Sequence, residues 1–270
     1  MSDPQPSSTP SVDESASLPR PSFDLTGRTA IVTGGSRGIG RAMAMGFAAA
    51  GANVVVASRK ADACHAVADE ITTAGGQALA VPTHVGHPDE IEALVEATVE
   101  RFGGIDILVN NAANPLGGAL TDITSAAFDA SYGVNVKGPV LLGAAALDHL
   151  AASGHGSVIN VISAGAFRPG EGLALYCSGK AALWSLTRVM AKEWAPRSVR
   201  VNALAPGPFR TDMMAGALAI PDFYDRIVES TVQKRVAEPD EIIGAALFLA
   251  SDASSYMTGS ALSVDGGTLA

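Results

Sequence analysis

Cysteine is scarce in this 270-residue chain: Cys64 and Cys177 stand far apart and form no C-x-x-C. That spacing reads as two free thiols in a reducing compartment, and it excludes a disulfide framework as the basis of the fold. Charge is scarce as well. Asp, Glu, Lys and Arg make up 17% of the residues, and 18 basic against 27 acidic side chains leave a net charge of −9. No general nucleic-acid face is expected from such a chain, although one local basic pocket for a phosphate remains compatible with it. The five histidines fall in no metal-binding spacing, so no metal site is expected. No apolar run reaches the roughly 18 residues that a membrane span needs. Residues 1–22, MSDPQPSSTPSVDESASLPRPS, lack large apolar side chains, a basic start and an apolar segment of signal-peptide type. They read as a disordered Pro/Ser-rich tail without a targeting signal, which makes a cytoplasmic location the expectation.

What is present from Phe23 onward is alternation. Seven short β-rich runs, TAIVTG, NVVVAS, QALAVPT, IDILVN, GSVINVIS, VRVNALA and ALSVDGG, are separated by Ala-rich stretches of helical length at 38–50, 61–74, 88–102, 124–135, 138–152, 175–195 and 239–250. Several runs are almost continuously apolar, as expected of strands covered on both faces. The predicted fold is α/β: one Rossmann-type, doubly wound parallel sheet filling a single catalytic domain over 23–270. The stretch 208–236 shows no clear period and is too long for an ordinary connection, so it is expected to cover or carry a site.

The first strand runs into TGGSRGIG and then a helix. Gly34, Gly38 and Gly40 let backbone approach a pyrophosphate closely, and the helix N-terminus adds unpaired N–H groups and partial positive charge. At the end of the second strand, where a carboxylate would bind the 2′-hydroxyl of NAD, the chain reads Ser58, Arg59, Lys60. Arg59, joined by Arg37 from the glycine turn, suits the 2′-phosphate of NADP, so NADP(H) is expected over NAD(H). Farther along, Tyr176 and Lys180 lie four residues apart in LYCSGK, on one face of a predicted helix.

TGGSRGIG at 33–40, NNAA at 110–113, VNVKG around Asn135, Ser163 thirteen residues before Tyr176, YCSGK at 176–180, PGPFRT at 206–211 and the closing SVDGG occur in one order. On these motifs the chain resembles the short-chain dehydrogenase/reductase family over about residues 23–267. The resemblance implies that Tyr176 donates or accepts the proton and that Lys180 binds the nicotinamide ribose and biases Tyr176 toward phenolate. It further implies that Ser163 holds the substrate oxygen and Asn135 anchors a water relay behind Lys180. Gly34, Ser36, Arg37, Gly38, Ile39 and Gly40 would contact the cofactor, with Ser58, Arg59, Lys60, Val85, Asn111, Ala112 and Ala113. Pro206, Gly207, Phe209 and Thr211 would complete that contact, Thr211 on the carboxamide side. Two departures stand out: Ala113 replaces the glycine of NNAG, at a cost of ~1 kcal/mol if the position needs φ > 0. His84 replaces an Asp that contacts adenine in relatives.

The implied chemistry has a physical basis. A phenol with a pKa near ~10 exchanges protons poorly at neutral pH, and a nearby cation lowers that value. Such a tuned phenol is a general acid–base, and a Ser163 hydrogen bond to the developing oxyanion adds electrostatic stabilisation. Ala164, Phe167, Leu173, Pro208, Phe209, Met213 and Met214 form a largely apolar candidate pocket, favouring a ketone, quinone-like or acyl carbonyl over a bare sugar. Arg168 and Arg210 keep sugar acids and carrier-bound 3-oxoacyl chains open. Apolar residues spread around 138–152 and 178–195 suggest buried subunit contacts, and relatives are commonly homotetramers. Two alternatives remain: a nucleotide-binding regulatory protein without turnover, and an NAD-dependent sugar or polyol dehydrogenase.

Overall fold

The structure, a computed structural model, describes residues 22–270; apart from Ser22, the tail expected at the N-terminus lies outside the described residues. The seven apolar runs all become strands: β1 (Thr29–Thr33), β2 (Asn53–Ser58), β3 (Gln77–Pro82), β4 (Ile107–Asn110), β5 (Ser157–Val161), β6 (Arg200–Pro206) and β7 (Ala261–Val264). They form one sheet in the order β3-β2-β1-β4-β5-β6-β7, with every pairing parallel. The chain winds outward from β1 in one direction and from β4 in the other, so the crevice between β1 and β4 is the topological switch point where ligands of such sheets bind. The expectation of a doubly wound α/β sheet is met.

Two apolar layers explain why the central strands lack polar alternation. Ala30, Val32, Val54, Val56, Ile159 and Val161 pack against α1 (Gly38–Ala49), α2 (Ala61–Thr73) and α9 (Ile243–Ala250). Ile31, Val55, Leu108, Val158 and Val201 face the other way, toward α3 (Pro88–Phe102), α5 (Gly138–Ala152) and α6 (Ala174–Trp194). α3 shows how the local sequence sets its bounds. Pro88 fits the first turn, Asp89 and Glu90 complement its positive end, and Gly103 ends it in the left-handed region at φ 85°.

Two regions depart from expectation. The helices read at 124–135 and 138–152 form one path: α4 (Ser125–Tyr132) passes through a π-turn at Gly133–Lys137 directly into α5. The segment 208–236, read as irregular, holds two short helices, α7 (Asp212–Leu218) and α8 (Pro221–Glu229). Each is too short to show two full apolar repeats, and α8 is started by Pro221, a residue that in sequence reads equally as a breaker.

Candidate active site

The C-terminal ends of β1, β4 and β5 and the N-terminal half of α6 bring together the polar groups singled out in the sequence. Ser163 follows β5 and caps the turn Ala164–Ala166: its Oγ accepts the Gly165 N–H at 3.1 Å. Tyr176 and Lys180 stand one turn apart on α6, with Nζ 5.8 Å from the phenol ring centroid. Lys180 is among the largest side chains with almost no exposed surface, and its ammonium donates to the Val161 carbonyl at 2.7 Å. Burial pulls its pKa down from 10.5 to about 8. Tyr176 moves the opposite way. Burial pushes its phenol above 10.0, the neighbouring Ser163 hydroxyl opposes this, and Cys177 adds a smaller upward push.

This differs from the expectation that Lys180 biases Tyr176 toward phenolate. The same low-dielectric pocket disfavours the charged form of both groups, and the lysine is drawn to the Val161 carbonyl and not to the phenolic oxygen. In this arrangement Tyr176 holds its proton at neutral pH, as an acid must.

Asn135 is wholly buried in the π-turn. Its Oδ1 accepts the Asn114 N–H at 3.1 Å, and its Nδ2 donates to the Asn114 carbonyl at 2.9 Å and to Ser131 Oγ at 3.1 Å. The side chain therefore clamps the β4–α4 loop against the π-turn. Gly179 lets α6 come close: a Cβ on it would sit 3.2 Å from Asn135 Cβ. Nothing in the sequence marks Asn114 and Ser131; as polar residues in a loop and a helix they carry no spacing signal.

The glycine turn fits a nucleotide pyrophosphate. Gly34 and Gly38 have φ of 64° and 53°, and a Cβ on Gly34 would lie 2.8 Å from Asn111 Nδ2. A Cβ on Gly40 would collide with the Gly34 carbonyl and the Asn111 amide. α1 begins at Arg37 with no side-chain cap and no acid in its first turn, which leaves its N-terminal N–H groups for an anion. Thr33, which opens the TGGSRGIG motif, locks the turn. Its hydroxyl donates to the Val109 carbonyl at 3.0 Å and accepts N–H bonds from Asn111 and Ala112. Asn111 spends its amide on the Thr33 and Gly34 carbonyls at 2.9 and 3.2 Å, so it shapes the cradle.

At the end of β2, Ser58 Oγ lies 2.8 Å from Ser36 Oγ, and Arg59 is exposed with no ion pair among the described residues. Arg37, also exposed, reaches across the turn to Asp212 at 3.8 Å. No carboxylate occupies positions 58–60. These groups fit a phosphorylated ribose.

The residues that match the family model described as "Enoyl-(Acyl carrier protein) reductase" are 34–268, nearly the whole described chain. The chain belongs to the short-chain dehydrogenase/reductase family. It is 39% identical over 248 residues to human dehydrogenase/reductase SDR family member 4, covering 90% of this chain and 88% of that protein. Among solved structures, a gluconate 5-dehydrogenase from Burkholderia cenocepacia in complex with NADP and tartrate superposes with a TM-score of 0.88 at 34% identity, covering 92% of this chain and 97% of that one. A 7α-hydroxysteroid dehydrogenase complexed with NADH and 7-oxo glycochenodeoxycholic acid does so with a TM-score of 0.88 at 36% identity, covering 91% and 95%. Both nicotinamide cofactors thus occur among short-chain dehydrogenase/reductase relatives.

Within this family fold several expected roles shift. Ala113 is not among the non-glycine residues at positive φ, so replacing the family glycine costs no backbone strain. His84 turns back on its own loop: Nδ1 accepts the Gly86 N–H at 3.1 Å and the ring stacks on His87 at 4.2 Å. Phe209 is buried in the apolar layer with α1 and α9 and does not present itself as a cofactor contact. Val85 is buried where Gly138 lets the start of α5 abut its carbonyl. Pro206 ends β6, and Gly207 passes so near Asp265 that a Cβ would lie 2.6 Å from the Asp265 Cα. Thr211 lies beside the glycine turn, with Cγ2 3.1 Å from where a Gly38 Cβ would be.

The substrate residues divide. Leu173 joins the loop after β4, where Gly118 N–H donates to the Gly172 carbonyl at 2.8 Å; Leu116 and Leu120 are exposed in the segment between β4 and α4, and Met213 is exposed at the start of α7. Phe167 instead leans edge-on against Trp184 at 6.1 Å and lines an open groove of about 910 Å³ along the β7 edge. Both arginines have partners within the chain, and only Arg210 has its charge paired among the described residues. Arg168 donates to the Thr268 carbonyl at 3.2 Å, and Arg210 is paired with Glu238 at 2.9 Å. Among the described residues there is no metal-ligating cluster and no helix long and apolar enough to cross a membrane.

Proposed function

We propose that the chain is an NADP(H)-dependent oxidoreductase interconverting a ketone and a secondary alcohol, with Tyr176 as the general acid–base. The observation that carries this reading is the convergence of the Ser163 hydroxyl, the Tyr176 phenol and the buried Lys180 ammonium at the end of β5. Bound nicotinamide supplies or accepts the hydride. The chain's residues do the rest. Ser163 orients the carbonyl oxygen and stabilises charge developing on it. Tyr176, held protonated by its surroundings, gives that oxygen a proton. Lys180 fixes one edge of the pocket through Val161 and supplies positive charge near the phenol once the proton has left. Asn135 keeps the loop after β4 against the π-turn, so that one wall of the pocket does not move. An elevated phenol pKa favours carbonyl reduction at neutral pH and makes alcohol oxidation rise with pH.

Replacing Tyr176 by Phe is expected to abolish turnover while leaving the NADPH dissociation constant unchanged. Residual activity of more than a few per cent would assign the acid elsewhere. Arg59 and Arg37 support the NADP(H) preference, since a charge-assisted contact to the 2′-phosphate is worth ~1.5–3 kcal/mol, about tenfold or more. Arg59→Asp should move the NADPH/NADH ratio of kcat/KM toward NADH by at least that factor. An unchanged ratio would remove Arg59 from the site.

For the substrate, apolar Leu116, Leu120, Leu173 and Met213, together with the engagement of Arg168 and Arg210 elsewhere, support a bulky apolar carbonyl over a sugar acid. A panel holding a keto-steroid, a bicyclic ketone, a 3-oxoacyl thioester and a keto-gluconate separates these classes. Binding of NADPH with no oxidation across the panel would favour a regulatory protein. Cytoplasmic location and a homotetramer are further parts of this proposal; exposed Phe128 on α4 and Val189 on α6 support the assembly.

A further inference from the structure

On the sheet face that packs on α5 and α6, the ends of β4 and β5 carry two amides among apolar neighbours. There Asn110 and Asn160, direct neighbours in the parallel register, are both buried. Their amides form a directed chain. Asn110 Nδ2 reaches the Pro139 carbonyl in the first turn of α5 at 3.5 Å and donates to Asn160 Oδ1 at 2.9 Å. Asn160 Nδ2 donates to Thr187 Oγ1 on α6 at 2.9 Å, and that hydroxyl donates to the Leu183 carbonyl at 2.7 Å. Met190 Sδ accepts the second Asn160 proton at 3.7 Å.

Two features of placement give this chain a consequence. Thr187 lies seven residues after Lys180, two helical turns along one stripe of α6. Asn160 immediately precedes Val161, whose carbonyl receives the Lys180 ammonium. The same two residues of β5 therefore hold the same stripe of α6 at two points, one through a side chain and one through the backbone. Apolar packing alone tolerates sliding of a helix over a strand, whereas a buried hydrogen bond has one register and leaves unpaired polar groups in any other.

We propose that Asn160 and Thr187 are positioning residues: their hydrogen bond sets the register of α6 on β5 and thereby aims Lys180 at the Val161 carbonyl and Tyr176 at the reacting oxygen. The inference rests on the reading that Tyr176 and Lys180 perform the proton chemistry. Asn160 and Thr187 are both wholly buried and expose no surface for a substrate or cofactor to touch.

Thr187→Val tests it, because valine keeps the volume and removes the hydroxyl. Thr187→Ser, which restores the hydroxyl, is the conservative control, and Thr187→Ala removes it without adding a methyl should valine fold poorly. For Val or Ala the expected result is a kcat about tenfold lower with KM for NADPH unchanged. A displaced pH–rate midpoint should accompany it, and serine should behave like the parent. Independently of activity, Lys180 can be titrated by NMR in lysine-labelled protein, its signal assigned by Lys180→Met. Tyr176 and Cys177 are the other titratable groups in the pocket. The midpoint should differ between the parent and Thr187→Val and coincide between the parent and Thr187→Ser. A lower Tm with kcat, pH profile and Lys180 midpoint all unmoved would overturn the inference and leave the hydrogen bond a packing device. If the parent reduces no carbonyl on the panel, the proposed activity fails, and the Lys180 midpoint still decides the positioning role.

Discussion

At Lys180 two requirements pull in opposite directions. The site needs a cation near the phenol, and the fold resists a buried one. The pKa of about 8 against an ordinary 10.5 measures that resistance. Between these values the unfolded chain binds more protons at this residue than the folded one, so stability rises with pH across the window. Below about pH 8 the penalty is fully present, with an upper limit of roughly 3 kcal/mol. Lys180→Met removes it and also strands the Val161 carbonyl, a loss of ~1–3 kcal/mol. The two nearly offset, so the sign of the pH dependence is more telling than the size at one pH. Lys180→Met should be inactive, and its Tm relative to the parent should be most favourable near pH 7. It should become less favourable, by up to ~3 kcal/mol equivalent, as pH rises toward the ordinary lysine value. Thermal unfolding of both proteins from about pH 6 to about pH 10.5 measures it. A constant difference would mean that burial does not control this lysine.

Among the elements, the β1–α1 unit carries the tightest geometric demand. Gly40 lies in the first turn of α1, where an added Cβ has nowhere to go, since the Gly34 carbonyl and the Asn111 amide already meet there. Both are held in place by the Thr33 network and cannot swing aside. Gly40→Ala is expected to destabilise the protein by roughly 1–3 kcal/mol and to weaken NADPH binding more than tenfold. Calorimetry and cofactor titration report the two effects separately, and an alanine variant with parental affinity would show that the turn can relax. Elements of this kind are legible in the sequence. Continuous apolar strands and a glycine turn obey local rules, and Tyr176 and Lys180 share a helix, so their proximity follows from spacing alone. What is not legible depends on partners remote in the chain. The charge of Arg210 is taken up by Glu238, 28 residues on, and Arg168 is tethered to the Thr268 carbonyl, 100 residues on. The Tyr176 pKa is raised by burial, which the fold imposes, and the acceptor that Lys180 finds is a backbone carbonyl, invisible to any side-chain pattern. α7 and α8 escape a reading by period because they are short: each spans about two turns, too few for an apolar repeat to recur, and Met213 and Phe223 on them are exposed.

Over the whole molecule, chemistry and anchoring occupy opposite edges of one sheet. Parallel strands place every C-terminal end at the cofactor edge, and the helices that return the chain bring their C-termini to the far edge. There α9 ends in carbonyls that need partners. Arg200, at the start of β6, donates to the Leu249 and Ser251 carbonyls, both at 3.1 Å, and to Ser254 Oγ at 2.8 Å. Arg28, just before β1, donates to Asp252 at 2.7 Å and approaches the Ala250 carbonyl at 3.5 Å. Ser157, opening β5, donates to the Leu249 carbonyl at 2.8 Å. One helix end thus ties three strands together on the side away from the site. The Arg28 guanidinium holds the Asp252 carboxyl below its usual 3.8, with His155 and Arg200 contributing. A carboxylate lowered in the folded state stabilises the protein above its unfolded pKa and loses that contribution as pH falls through the folded value. The Asp252 side chain is 56% exposed, so solvent screening limits its worth to about 1 kcal/mol or less. Asp252→Asn should therefore lower Tm modestly at pH 7, with the difference from the parent closing as pH drops below 3.8, the ordinary value. Its kcat and KM at neutral pH should match the parent, because Asp252 pairs with Arg28 at the N-terminal edge of the sheet, opposite the edge that holds Ser163, Tyr176 and Lys180. A fall in kcat with Tm unmoved would show that the far edge reports to the site after all, and that the two edges are not separate.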